Sequence, residues 1–388
     1  MINWKETRVG DIGKVITGKT PKTSVDENYG GDIPFITPSD DMTTKYIFAT
    51  NKKLTDKGAQ SVKNSIIPPN TICVSCIGSD LGKVVISTET SVTNQQINSI
   101  VLNENEYDLD FIYYIMTSLG KVMNHHSKTS TAVPIVNKTQ FSDYTFLCPE
   151  LVTQKKIGGV LASLDDKISN NRSINRNLQD QAFALFEQLV MEHDPEDVCN
   201  LSEISDINPK RILSKNVEAR CIDMAKLSTS GAFPDGWEYK LFTGGMKFQN
   251  GDTLLARITP CLENGKTAYI NFLNDKEVAF GSTEYVVLAA KGNTPPEMLY
   301  CLARYSKFVD YAVKNMNGSS GRQRISGETV GQYQVPNFNN DEMDRFRKAS
   351  ESNFEMMKQN SFENMRLVEL RDALLPRLMS GEIDVSNL

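Results

Sequence analysis

The chain has 388 residues with 39% hydrophobic and 23% charged content, enough for about two or three domains with real cores. Its net charge of −6 argues against a protein that holds DNA tightly by itself through a strongly basic surface. No apolar run approaches the roughly 18 residues a membrane span needs. The Met1–Glu6 start has no basic segment leading into an apolar one, so export is not expected and the cytoplasm is the default location.

Residues 1–149 alternate short β runs with turns. Lys14-Val-Ile-Thr17, Ile33-Pro-Phe-Ile-Thr37, Thr71-Ile-Cys-Val-Ser75 and Lys83-Val-Val-Ile-Ser87 read as strands, and Asp110–Leu119 as the one helix. Gly13–Thr20 spells the phosphate-binding pattern G-x-x-x-x-G-K-[ST]. That pattern needs a helix straight after the Lys-Thr. Here Pro21 follows Thr20, Lys22–Gly31 has no helical apolar period, and Lys14-Val-Ile16 itself looks like strand. A strand followed by a basic, glycine-containing turn is the better reading, and a P-loop NTPase is set aside. Cys73 and Cys76 have C-x-x-C spacing, but on a strand residues three apart face opposite sides. Seven irregularly spaced cysteines and three histidines suit buried thiols better than a metal site or a disulfide framework.

Residues 150–194 change character. Ile157, Leu161, Leu164, Ile168, Asn171, Asn175, Leu178, Ala182, Leu185 and Leu189 fall at alternating steps of four and three, a coiled-coil seam. Two asparagines interrupt it, unless Ile174 takes their place through a local shift. His193-Asp-Pro195 ends the helix. Residues 195–338 repeat the β-rich pattern in Cys221-Ile-Asp-Met224, Thr253–Ile258 and Glu284–Leu288, again with one helix, Pro296–Tyr305. Residues 339–388 hold a second long helix with Met343, Phe346, Ser350, Phe354, Met357, Ser361 and Met365 as its seam, a kink expected at Pro376 and Gly381 as its stop.

The halves echo each other. Leu178–Val190 parallels Leu367–Met379 about 190 residues on, and Asn70–Ser75 with Gly82-Lys83 parallels Asp252–Arg257 with Gly265-Lys266. A period this long is a duplicated domain. Each long helix has one apolar stripe to bury, and the obvious partner is the other helix, antiparallel. Acidity sits in the helices: residues 151–200 carry 5 Lys+Arg against 8 Asp+Glu and residues 339–388 carry 7 against 10, whereas residues 201–338 carry 16 against 14. Each near-neutral head can therefore offer a local DNA face, with a basic partner supplying further phosphate contacts.

Base-reading side chains recur on turns at matching places. Ser319-Ser320-Gly321-Arg322-Gln323-Arg324 ends in two arginines around a glutamine; Arg suits guanine and Gln suits adenine. Its first-half counterpart starts at Lys128. Arg257, Asn264 and Lys266 bracket one second-half turn; Lys83, Asn94 and Gln95 lie at related first-half places. Lys19, Thr20 and Lys22 form the basic turn after the first strand. No H-E-x-x-H, G-x-S-x-G or G-x-G-x-x-G motif is present, and neither Pro-Pro pair lies in the Asn-Pro-Pro-aromatic setting of amino-methyltransferases, so catalysis by this chain is not expected.

These residues resemble the specificity subunit of type I restriction–modification systems. The marks are Ile16–Pro21 with Gly30–Pro38, Gly251–Lys266, Gly281-Ser-Thr-Glu284, Gly321–Ile325, Gln154–Ile157, Leu164–Ile168 and Leu374–Ile383. The resemblance implies an α+β fold with two tandem α/β target-recognition domains, residues 1–149 and 195–338. They are joined by two long spacer helices, residues 150–194 and 339–388, forming an antiparallel coiled coil with pseudo-twofold duplication. It implies double-stranded DNA as ligand, with each half reading part of a bipartite site. It also implies two methyltransferase subunits on the helices, with S-adenosylmethionine bound there and adenine methylated after base flipping, and a restriction and translocation subunit for cleavage. No cofactor or metal is expected in this chain, and no membrane. The alternative is a coiled-coil scaffold binding protein partners through two α/β heads.

Overall fold

A computed structural model describes residues 4–127, 135–319 and 321–386. The chain divides into two compact units, residues 1–166 with 368–388, and residues 167–367. Each contains one β-rich head and a stretch of both long helices.

In the first unit a five-stranded sheet runs in the order Gly13–Thr17, Ile97–Leu102, Ile72–Ser75, Val84–Ser87, Tyr46–Ile47. A four-stranded sheet follows the order Lys53–Leu54, Tyr29–Ile36, Ser91–Thr93, Ile66–Ile67, and Lys5–Arg8 pairs with Thr145–Cys148. The second unit repeats this order. Its sheets are Ser205–Ile207, Tyr285–Ala290, Asp252–Ala256, Thr267–Tyr269, then Glu238–Leu241, Glu218–Ile222, Ala279–Gly281, Met246–Phe248, and the pair Val198–Asn200 with Gln334–Pro336. The four-stranded sheet of the first unit and, in the second, the sheet containing Glu238–Leu241 each have a parallel pairing at the same place, Phe35 with Val92 and Cys221 with Phe280. The duplication read from the sequence is thus a duplication of topology, and among the described residues the one strand without a counterpart is Tyr46–Ile47.

The register of that duplication differs by one residue from the match by letters. Ser75 pairs with Ile97, and Ala256 pairs with Tyr285. Asn70 donates to the Ser87 carbonyl as Gly251 does to that of Ile270. Asn70 therefore corresponds to Gly251, not to Asp252. Both have positive φ, 59° and 87°, a conformation favouring Gly and tolerating Asn.

The central helix spans Leu151–Glu192 and the distal helix Asn340–Met379, continuous through Pro376. Asn339 starts the distal helix with a capping box: its Oδ1 accepts from the Glu342 amide at 3.0 Å, and Glu342 Oε2 accepts from the Asn339 amide at 2.8 Å. In the second unit the helices are antiparallel, because Asn171 meets Glu363 and Asn364, Asn175 meets Ser361, and Glu192 meets Arg345. In the first unit Asp165 meets Arg371 at 2.6 Å, in the same sense. The seam runs through the asparagines: Asn171 is buried, while Ile174 is exposed.

Each helix stretch completes its head's core. Ile157, Leu161, Leu375 and Leu378 join Ile12, Phe111, Tyr114 and Phe141 in the first unit. Phe186, Phe346 and Phe354 join Tyr300 and Phe308 in the second. Burying such side chains is worth about 1.5–3 kcal/mol each, so neither head has a full core without its helices. Six of the seven cysteines are buried, and burial pushes the Cys73 thiol up to about 12. Among the described residues no helix is long and apolar enough to cross a membrane.

Candidate nucleic-acid interface

In the second head three loops converge at one end of the sheet formed by Ser205–Ile207, Tyr285–Ala290, Asp252–Ala256 and Thr267–Tyr269. Antiparallel pairing makes this happen: Ala256 ends its strand opposite Tyr285, which starts the next, and Leu255 lies opposite Thr267, which starts the third. Residues 257–266, 282–284 and 321–324 therefore meet there, with Asn317 beside Arg324. Arg257 donates its amide to the Glu284 carbonyl at 3.0 Å and accepts from the Ile325 amide at 3.0 Å. The Thr259 amide donates to the Gln323 carbonyl at 3.0 Å, and Arg324 exchanges two 2.9 Å backbone bonds with Asn317.

The Arg324 guanidinium lies against Glu284. Its Nε donates to both carboxylate oxygens, at 3.0 and 2.9 Å, and Nη2 to Oε1 at 2.7 Å, while Nη1 reaches the Arg322 carbonyl at 3.0 Å. That contact holds the Glu284 carboxyl below the usual range, against a smaller opposing effect of burial. Lys266 donates Nζ to the Met224 carbonyl at 2.8 Å. Arg257 is half-buried, and its Nε has no partner. Asn264 and Arg322 are exposed, and Gln323 is half-buried.

The first head gathers its residues at the equivalent end. The Lys19 amide donates to the Thr93 carbonyl at 2.9 Å. Thr20 Oγ1 donates to Gln95 Oε1 at 2.6 Å. Asn94 is buried; its Oδ1 accepts from the Gln96 amide at 3.0 Å and its Nδ2 donates to Gln96 Oε1 at 3.0 Å, so its amide shapes the turn. Lys83 is paired with Asp80 at 2.6 Å. Lys19, Lys22 and Gln95 are exposed. Gly13–Thr17 is a strand with no α-helix after Thr20. A Cβ on Gly18 would come within 2.0 Å of the Asn94 carbonyl, so this glycine serves close strand approach rather than a phosphate cradle. Lys128 and Ser320 lie outside the described residues.

Matching hydrogen bonds align the two ends. Cys76 donates to the Gln96 carbonyl and accepts from Val136, as Arg257 does with Glu284 and Ile325. Ile77 bridges to Ile135 as Ile258 does to Arg324. Gln96 and Ile135 thus stand where the second head has Glu284 and Arg324, and Lys83 corresponds to Lys266. Sequence reasoning overlooked Glu284 as a site residue. The available signal was a polar residue directly before a strand in both halves, Gln96 before Ile97 and Glu284 before Tyr285. Among the described residues no cluster of three or more His, Cys, Asp or Glu could hold a metal. What these loops offer is guanidinium, ammonium and amide groups, the chemistry that meets base edges and phosphates.

Residues 1–180 match the model of the type I restriction modification DNA specificity domain. The whole chain aligns with 95% of the type I restriction enzyme MjaIX specificity subunit of Methanocaldococcus jannaschii, at 24% identity over 437 positions. Over its whole length the chain is similar to a type I restriction enzyme specificity subunit. The HindI specificity subunit of Haemophilus influenzae is 34% identical over 176 residues, 44% of this chain and 38% of that one. A crystal structure of the type I S subunit from M. genitalium has the same fold, with a TM-score of 0.55 over 97% of this chain and 96% of that one, at 19% identity. The α+β specificity-subunit fold expected from the sequence is borne out, and the protein is a DNA-specificity component.

Proposed function

We propose that this specificity subunit reads a bipartite DNA site, one part with each head, and acts only inside a complex. The observation that carries the reading is the repeated topology: both heads bring basic and amide-bearing loops to the same end of the same sheet. Two unlike reading ends on one chain suit two unlike half-sites. The chain itself is non-catalytic and holds no cofactor. Two methyltransferase subunits dock on the long helices, carry S-adenosylmethionine and methylate adenine; a restriction and translocation subunit adds cleavage. The complex works in the cytoplasm, where the DNA is.

The charge balance sets the test. The second head is near neutral and the helices are acidic, so the chain alone releases few counterions on binding. At physiological salt the isolated chain should show weak, sequence-independent DNA binding by fluorescence anisotropy. Adding its methyltransferase should create tight binding to one bipartite sequence, the same one that carries the methyl mark in the source genome. Tight, specific binding by the lone chain, unchanged by the methyltransferase, would overturn this reading.

A further inference from the structure

We propose that Arg324 and Glu284 are a positioning pair: Arg324 does not read a base but clamps residues 322–324 so that Arg322 does. This rests on the bipartite reading above and names the residue that carries it in the second head. The fork of Arg324 that would address a guanine edge is occupied, since Nε and Nη2 both lie on Glu284. Freeing it would leave a half-buried carboxylate without its main partner. Its Nη1 is used as well, on the Arg322 carbonyl. One side chain thereby ties Glu284, directly before the Tyr285–Ala290 strand, to the loop residue two positions back.

Backbone bonds complete the clamp. Arg324 pairs with Asn317, Gln323 accepts from Thr259, and Arg322 donates its amide to the Ser319 carbonyl at 3.0 Å. Gly318 and Gly321 have φ of 130° and 78°, values that favour glycine. Glu284 is itself anchored, its amide donating to Ser282 Oγ at 3.0 Å and its carbonyl accepting from Arg257. What the clamp leaves unengaged is Arg322, whose side chain is exposed and has no partner among the described residues. The lowered titration of Glu284 agrees with a carboxylate kept charged for this purpose. The first head has Gln96 and Ile135 at the equivalent positions, so the device belongs to the second half-site alone.

The test uses the full chain in complex with its methyltransferase, binding a DNA library and single-substituted sites. R322A should weaken discrimination at one base pair of the second half-site by roughly 5- to 150-fold. E284Q and R324K should relax that same base pair, while first-half-site preference and affinity for unrelated DNA stay at wild-type levels. R324K keeps the charge and alters only the fork, so it carries the test should E284Q also lose first-half-site preference through misfolding. Relaxation at a different base pair in R324K would show that Arg324 reads DNA itself. Unchanged discrimination in both clamp variants, or an equal loss on all DNA, would overturn the pair. Absence of any sequence preference in the wild-type complex would instead refute the bipartite reading, and is seen before any variant is made.

Discussion

His193 closes the central helix with its side chain 8% exposed, Nδ1 3.0 Å from Glu342 Oε1 and Nε2 2.9 Å from the Asp197 carbonyl. Burial alone would lower its pKa. The hydrogen bonds to Glu342 and Asp197, with their charges, outweigh burial and raise it above the ordinary value of 6.5. A raised folded-state pKa means the protonated form is the stabilised one. That contribution is fully present below about pH 6.5 and is lost as pH rises through the higher folded value. Chemical denaturation of the wild type should therefore show a stability loss, on going upward from about pH 6, that is absent in H193Q. Equal pH dependence in the two proteins would show that His193 carries none of it. At this scale residue types were legible in sequence, but engagement was not. Arg324 and Lys266 read as free cations, yet one lies on Glu284, 40 positions away, and the other on the Met224 carbonyl, 42 away.

The two long helices were the most legible elements, since a seam repeated over many turns adds up while a two-residue strand has no period. The structure decides what the sequence left open between Ile174 and the asparagines. Asn171 is buried, donating Nδ2 to Glu363 at 2.7 Å and to Asn364 at 3.0 Å, with its Oδ1 unpartnered. A buried amide in a seam costs stability and sets register. N171L should leave stability unchanged or raise it by about 1 kcal/mol, while allowing cysteine pairs placed one heptad out of register to cross-link. A loss of more than ~1 kcal/mol by thermal melting, without such cross-links, would show the asparagine to be a stabilising contact only. The opposite case is strand Tyr46–Ile47, missed in sequence. It is held at the sheet edge by tertiary contacts of its neighbour: Lys45, with a side chain 7% exposed, lies 2.6 Å from Asp110. Its Nζ also lies 5.4–5.6 Å from the rings of Tyr46, Tyr113 and Tyr114. The helix expected at Asp110–Leu119 runs over Leu109–Ser127, beyond the reach of its apolar period.

For the whole molecule, two heads with separate cores and unlike reading ends predict independent energetics. In the methyltransferase complex, Gln95→Ala should relax only the first half-site and Arg322→Ala only the second. The double variant should lose the sum of the two within about 0.5 kcal/mol, measured as binding to the full site and to sites altered in either half. A coupling above ~1 kcal/mol would mean that the heads do not read separately. The sequence by itself determined the duplication, the two seams and the family resemblance, because these rest on local periods and on motifs contiguous in the chain. Only the tertiary structure decided the true register of the repeat, the burial of Asn94 and Asn171, and the pairing of Arg324 with Glu284. Those depend on which strand ends meet, and antiparallel pairing brings together residues tens of positions apart that no local pattern connects.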